Sequence, residues 1–411
     1  MNFLNNLLEV VLNKPGALFS ALLYATSPPT QGNTSLALPP QSVFVDTRAY
    51  AVYGENGTFR QSSEAELFNP TSSEPPFFQI FDTSFLDIIG KKPLIREIAS
   101  NDTFNFAFEG PIYNEKTNEV FFTSSPNISV NLNNQIGKIS LTDVEKALLV
   151  ASKDSVINVP VTALDIPDNT VQMANGGTGP YKGSLVIVTV GRGPRPPSVV
   201  LVNPESPHNT TVLLDNFFGR QFNSLDDVKV HPSGKFFFTD TIYGSIGHIR
   251  PDPLIPSQVY RLDPDTREVR VVADGFETPN GIAFTEDGKT AYVSDTGALG
   301  EGLRLYPTRP STIYVFDVDK KTHMFKNRRV FAYIDAGIPD GLQVDKKGNL
   351  YVGCGDGVQV WNDQGTLLGK IFVGRTVVNM VFAGDGRLVM VANSKVYIAK
   401  IAAKGLPVLF P

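Results

Sequence analysis

Four polar residues of this 411-residue chain stand in related settings: Glu109 in Glu-Gly-Pro, Asp226 in Leu-Asp-Asp-Val, Asn280 in Pro-Asn-Gly-Ile and Asp340 in Pro-Asp-Gly-Leu. Three carboxylates and an amide offer only oxygen donors, the set that suits a hard cation such as Ca2+; zinc favours His or Cys. Asp-Gly and Asn-Gly are also the commonest turn dipeptides, so any one of these residues alone is ordinary turn chemistry. The pair Asn280 and Asp340 argues for more, because both occupy the frame Pro-Asn/Asp-Gly followed by a buried strand. A cation among such carboxylates neutralises their mutual repulsion; without it the cluster destabilises the fold or titrates upward.

Other chemistry is weakly signalled. The four histidines (His208, His231, His248, His323) show no metal-ligand spacing, and His231 falls in the turn His-Pro-Ser-Gly, which suggests a surface position. The glycine cluster NGGTGPYKG, Asn175 to Gly183, lacks the spacing of a phosphate cradle and reads as a loop. Cys354 is the single cysteine, so no intrachain disulfide or cysteine-based zinc cluster is available, and its apolar strand-like surroundings suggest a buried inert thiol.

The elements that must position the four residues repeat along the chain. The clearest are VKVHPSGKFFFTDT (from Val228), IAFTEDGKTAYVSDT (from Ile282), LQVDKKGNLYVGCGDG (from Leu342) and MVFAGDGRLVMVAN (from Met380). Each alternates around a glycine turn, the mark of a hairpin. Two weaker copies, IYNEKTNEVFFTSS from Ile112 and GTGPYKGSLVIVTVG from Gly177, bring the set to six. The spacing of roughly 40 to 65 residues is that of propeller blades. The expectation is an all-β, six-bladed β-propeller over residues 41–411. Its innermost strands line the axis, where Glu109, Asp226, Asn280 and Asp340 converge. Only Leu141 to Val150 offers a helical pattern between hairpins. Residues 1–40 read as an N-terminal helical extension, with Leu4, Leu7, Leu8, Val11 and Leu12 at helical spacing and a Pro/Ser/Thr-rich linker after it.

Hydrophobic residues make up 42% and charged residues 19%, with 35 Gly and 30 Pro, a turn-rich globular composition with ample core. The net charge of -5 and the lack of any basic run argue against nucleic acid and for a small-molecule partner. Nothing approaches the roughly 20 apolar residues of a membrane-spanning helix. Sequons begin at Asn33, Asn56, Asn101, Asn127 and Asn209, and GALFSALLYA (Gly16 to Ala25) resembles a short signal core. The secretory pathway is therefore favoured over the cytoplasm. Oligomeric state is not legible.

Two long insertions, Ser245 to Gln258 and Gly297 to Ser311, each follow an Asp-Thr pair at the end of a hairpin. Equivalent exits place both on one face, where they would wall or cover the site with Ile249, Leu254, Ile255, Leu299, Leu303, Leu305 and Tyr306. Arg192, Tyr243 and Arg304 lie beside that face and are candidate substrate contacts for a partly apolar molecule.

The segments FEGPIYNEKTNEVFF, NSLDDVKVHPSGKFFFTDTIYG, ETPNGIAFTEDGKTAYVSDT and GIPDGLQVDKKGNLYVGCGDGVQVW resemble the SMP-30/gluconolactonase/LRE-like family, particularly its fungal gluconolactonase-like members. The likeness runs from about Phe77 to Ile401. It implies a six-bladed propeller, a divalent metal (usually Ca2+, otherwise Zn2+ or Mn2+) and hydrolysis of lactones or related esters. It also implies that Glu109, Asn280 and Asp340 are metal-binding. Asp226 falls where the family usually has Asn, and Phe108 where fungal members often have His. On this basis the leading expectation is a metal-dependent lactonase with Asp340 as ligand and base and Asp226 completing the shell. Alternatives are a natural-product cyclase of hetero-Diels-Alder type, acting by orientation alone, and a non-catalytic binding propeller with a structural ion.

Overall fold

A computed structural model describes residues 37–61, 67–125, 133–152, 155–166, 169–384 and 386–410. The expected N-terminal helix, the signal-like run and the sequons at Asn33 and Asn127 lie outside them. Six sheets form the blades of a propeller, whose innermost strands are, in chain order, Glu109–Asn114, Ala174–Tyr181, Leu225–Val230, Pro279–Phe284, Leu342–Val344 and Asn379–Phe382. We number the blades I to VI in that order. All six expected hairpins are the inner and second strands of these blades.

Each blade buries both of its faces against neighbours, so its second strand is apolar without alternation. In blade III, Phe236 and Phe238 face the cluster shared with blade II while Phe237 faces the one shared with blade IV. In blade I, Phe121 and Phe122 divide in the same way. The core is thus a ring of inter-blade clusters rather than a single centre. Each such phenylalanine, fully buried, stabilises by about 1.5–3 kcal/mol.

The ring is closed by the chain's early part. Strand Leu94–Ser100 pairs antiparallel with Lys395–Lys400 as the outer strand of blade VI. Phe77–Ile80 adds to the outer edge of blade V beside Leu367–Phe372, and Ser42–Phe44 pairs parallel with it, so this blade has six strands. The helical pattern at Leu141–Val150 is a helix, N-capped by Ser140 and packed through Leu141 and Val144 between blades VI and I.

Two sequence expectations are overturned. The glycine run that begins at Asn175 is no loop: Ala174–Tyr181 is the inner strand of blade II, and Lys182 and Gly183 alone form the turn that follows it. Gly176 serves close approach to the next blade rather than a turn. His231 is no surface residue. It is 6% exposed, and its Nε2 is 2.9 Å from the carbonyl of Gly288 in blade IV.

Candidate metal centre

Inner strands of blades I to IV share one irregularity, a register shift at their entrance: between Glu109 and Ile112, Ala174 and Gly177, Leu225 and Val228, and Pro279 and Ile282. A bulge re-aims the side chains it carries. Asn175, Asp226 and Asn280 occupy one equivalent position in these bulges, and Asp340 stands two residues before the pair Leu342–Val352 that corresponds to Ile282–Val293. Glu109 enters one position earlier in register, on a side chain one methylene longer.

The glycines beside these residues have a packing reason. A Cβ on Gly176 would lie 2.2 Å from the carbonyl oxygen of Asp226, and one on Gly281 would lie 2.3 Å from that of Asp340. Only glycine lets the next blade's backbone pass so close. Hydroxyls fix the same backbone from the side: Thr239 Oγ1 donates to Asn280 O (2.8 Å) and Ser294 Oγ to Asp340 O (3.0 Å). Thr123 Oγ1 donates to Asn175 O (3.1 Å).

Three of the four residues expected at the axis, the carboxylates, come together. One oxygen each of Glu109, Asp226 and Asp340 lie within 4.8 Å of one another. Glu109, Asp226 and Asn280 are buried and Asp340 is half-buried. Glu109 Oε2 accepts from Gly110 N and Asn379 Nδ2, both at 2.8 Å, which leaves Oε1 for the axis. Asn175 Nδ2 donates to the carbonyl of Leu225 (3.2 Å), the residue before Asp226.

Burial, then the neighbouring carboxylate of Asp227, pushes Glu109 up to about 7. Asp226 and Asp340 are raised well above the usual carboxylate range by burial first and then by Glu109. Asn280 Oδ1 and Asp340 Oδ1 are buried without any hydrogen-bond partner. Buried oxygens are almost always satisfied, so two orphaned ones beside three crowded carboxyls fit a hard divalent cation.

Asp227, next to Asp226, does different work. It accepts from Val228 N (2.8 Å) and from Ile282 N of blade IV (3.1 Å), and Lys229 Nζ is 3.6 Å away, so it staples two blades below the axial cluster. The repeated Asp-Thr pairs are also architectural. Asp240 accepts from Asn223 N and Ser224 N, and Asp295 from Glu277 N and Thr278 N, each fixing the loop that enters its own inner strand.

Of the three candidate substrate residues, Tyr243 is brought to the carboxyls. Its phenol bonds the hydroxyl of Thr296. Arg192 instead closes a tight turn with Arg195 (2.9 Å), and Arg304 is exposed on its loop. The two long insertions leave from the end of the propeller that carries the cluster, and they touch through the short helices Tyr243–Ile246 and Glu301–Leu303. Leu299 and Leu305 pair across the second loop. Leu254 and Ile255 do not line it: Leu254 is 74% exposed, and Ile255 packs between blades II and III.

Sequence reasoning missed Asn175 and Asn379. Asn175 carries the same Asn-Gly signal as Asn280, obscured by the glycines around it. Asn379 has no such signal, because its neighbours are Val378 and Met380.

Fold and site together define a six-bladed propeller with an acidic, oxygen-lined centre at its axis. Residues 108–394 match the SMP-30/Gluconolactonase/LRE-like region, and the chain belongs to that family. It is similar to the lactonohydrolase oryL of Aspergillus oryzae, 28% identical over 356 residues that cover 80% of this chain and 76% of that protein. It also resembles the gluconolactonase of Zymomonas mobilis, 28% identical over 204 residues, 48% of this chain and 55% of that one. Among solved structures, a Xanthomonas campestris gluconolactonase superimposes with a TM-score of 0.61 at 24% identity, covering 79% of this chain and 94% of its own. A calcium-binding regucalcin of Agrobacterium tumefaciens gives 0.53 at 17%, covering 77% and 98%.

Proposed function

We propose that this protein is a metal-dependent hydrolase that opens a lactone or related ester. The observation that carries this reading is the pair of orphaned buried oxygens, Asn280 Oδ1 and Asp340 Oδ1, set against Glu109 and Asp226. The lactonohydrolase and gluconolactonase names of its relatives support it. Glu109, Asp226, Asn280 and Asp340 would hold the cation, Ca2+ by donor type, with Zn2+ or Mn2+ as the alternatives. A bound divalent ion supplies Lewis acidity toward a carbonyl oxygen and acidifies water.

The chain's own groups do the rest. Asp340 is the most open of the carboxyls and accepts a proton from the attacking water as its oxygen adds to the acyl carbon. The ring C–O bond then breaks and the proton returns to the leaving alkoxide. Asp226, where the family usually has Asn, adds a negative charge that holds a cation more tightly and weakens its pull on a carbonyl. The apolar loop residues Leu299 and Leu305 favour a partly apolar substrate.

Those loops also favour a second reading, a cyclase of hetero-Diels-Alder type that orients its substrate without hydrolysis. Hydrolysis of a panel of sugar and aliphatic lactones, before and after chelation and with Asp340→Ala, separates the possibilities. Turnover lost on chelation and in the variant is the expected result. Full hydrolysis by Asp340→Ala would overturn the mechanism. Bound metal without turnover on any lactone would favour the cyclase, or a binding propeller if candidate polyene precursors are also unchanged. The sequons at Asn56, Asn101 and Asn209 are exposed and support a secretory route, which glycosidase sensitivity of the native protein would test.

A further inference from the structure

The axial channel has a second mouth, at the end of the propeller away from the two insertions. A cavity of about 150 Å³ lies there, lined by Ile112, Thr178, Lys229, Phe284, Gln343 and Val381, one residue from each inner strand, together with residues 406–409 of the C-terminal tail. Lys229 and Gln343 follow the axial residues Asp226 and Asp340 by three positions, so at a strand rise of about 3.3 Å per residue the cavity begins roughly 10 Å behind the carboxyls. The tail crosses this mouth along a diameter. Lys346 N, after the inner strand of blade V, donates to Lys404 O (2.9 Å), and Lys182 N, after the inner strand of blade II, donates to Phe410 O (2.6 Å). Blades II and V stand opposite each other in a ring of six, so the segment joining these anchors passes over the axis. On the way, Leu406 packs on the cluster shared by blades IV and V, and the Phe410 ring comes to 5.7 Å from that of Tyr181 in blade II. A Cβ on Gly405 would lie 2.2 Å from that of Phe382 in blade VI, so only glycine lets the tail pass so close.

We propose that residues 404–410 form a strap that closes the rear mouth of the axial channel and leaves the insertion face as the way in for water, cation and substrate. Chain ends are ordered where they are tied down. This one is tied at both ends and to apolar surface between, across the ring rather than along a single blade. Without such a floor, bulk water would reach the axial carboxyls from behind as well as from the front. With it, the axis stays poorly solvated on that side, and every charge interaction there is correspondingly stronger. The strap follows from the tail's own anchors, so it stands whether or not the axial cluster binds a cation.

Thiol labelling with a charged methanethiosulfonate reagent tests the strap without recourse to metal or substrate. Thr178→Cys places a small thiol on the cavity wall, while the native Cys354, 0% exposed, reacts only on unfolding and serves as the internal control. In the full-length chain, position 178 should label slowly. In the same variant ending at Gly405 it should label about tenfold faster or more, because reaction no longer waits for the strap to open. Equal rates in the two chains, with Cys354 protected in both, would overturn the proposal. If the shortened chain fails to fold, fast labelling of Cys354 reveals it, and the full-length double substitution Leu406→Ser with Leu409→Ser then carries the test. That pair loosens the strap's apolar hold while keeping its length, and it should also speed labelling at position 178. An unchanged rate there, with Cys354 still protected, would equally overturn the strap.

Discussion

Asn379 and Glu109 meet 270 residues apart in sequence, the Asn379 amide donating to Glu109 Oε2 at 2.8 Å across the seam between the last blade and the first. The bond does two things at once. It orients the carboxylate toward the axis, and it joins the two blades whose contact closes the ring. Asn379 Oδ1 is itself fixed by Met380 N at 2.8 Å.

Asn379→Ala should therefore weaken Ca2+ binding by about tenfold, as loss of an outer partner does at other metal sites. Its melting temperature should fall further from wild type in Ca2+ than in chelator, because part of the defect is lost binding energy. Equal shifts in both conditions would mean that the bond is only a seam contact.

Metal removal should make stability depend on pH in a defined direction. Glu109 is raised from 4.5 to about 7 in the fold, and Asp226 and Asp340 are raised with it. A carboxyl whose folded pKa is raised contributes stability that is present at low pH and lost as pH rises through the folded value. The chelated protein should lose melting temperature as pH rises from about 5 to 8, while the Ca2+-loaded protein should change much less. Ca2+ binding near pH 7 should release protons, detectable as a buffer-dependent enthalpy. Flat chelated stability over that range would show that the carboxyls do not crowd one another.

Gly281→Ala places a Cβ 2.3 Å from the carbonyl oxygen of Asp340, a backbone atom that cannot swing aside. Overpacking of this kind typically destabilises by about 1–3 kcal/mol. The displaced backbone is that of Asp340 itself, so Ca2+ affinity should fall as well. A variant with unchanged melting temperature and affinity would show that blades IV and V part easily.

Lys370, 1% exposed, lies between Asp356 (2.7 Å) and Asp335 (2.9 Å), and Arg60 reaches Asp335 from the segment before the first blade. Lys370→Ala strands the fully buried Asp356, and breaking such a pair costs about 3–5 kcal/mol. Replacing Lys370 and Asp356 together by Met and Leu should recover most of that loss in chemical denaturation, since it removes both desolvated charges. A double variant no better than the single would assign the loss to packing instead.

How much of this was legible beforehand varies by element. The six hairpins were visible because each pairs an inner strand with a doubly buried second strand around a glycine turn, a purely local pattern. Glu109, Asn280 and Asp340 were visible because a carboxylate or amide followed by glycine is a local signal as well, although its reason is a contact with the next blade; Asp226 was visible from its matching place before a hairpin. The strand from Ala174 hid among glycines that read as loop, and His231 was buried by a neighbour that its own turn does not reveal.

By itself, the sequence determined the repeat, the hairpins and the oxygen character of the axial residues, all of which follow from nearest-neighbour patterning and side-chain chemistry. Tertiary structure alone decided the partnerships: Asn379 with Glu109, Asn175 with Leu225, Asp227 with Ile282, Thr296 with Tyr243. Each joins residues that different blades carry to one place. Ring closure sets those distances, and no local pattern in the sequence encodes them.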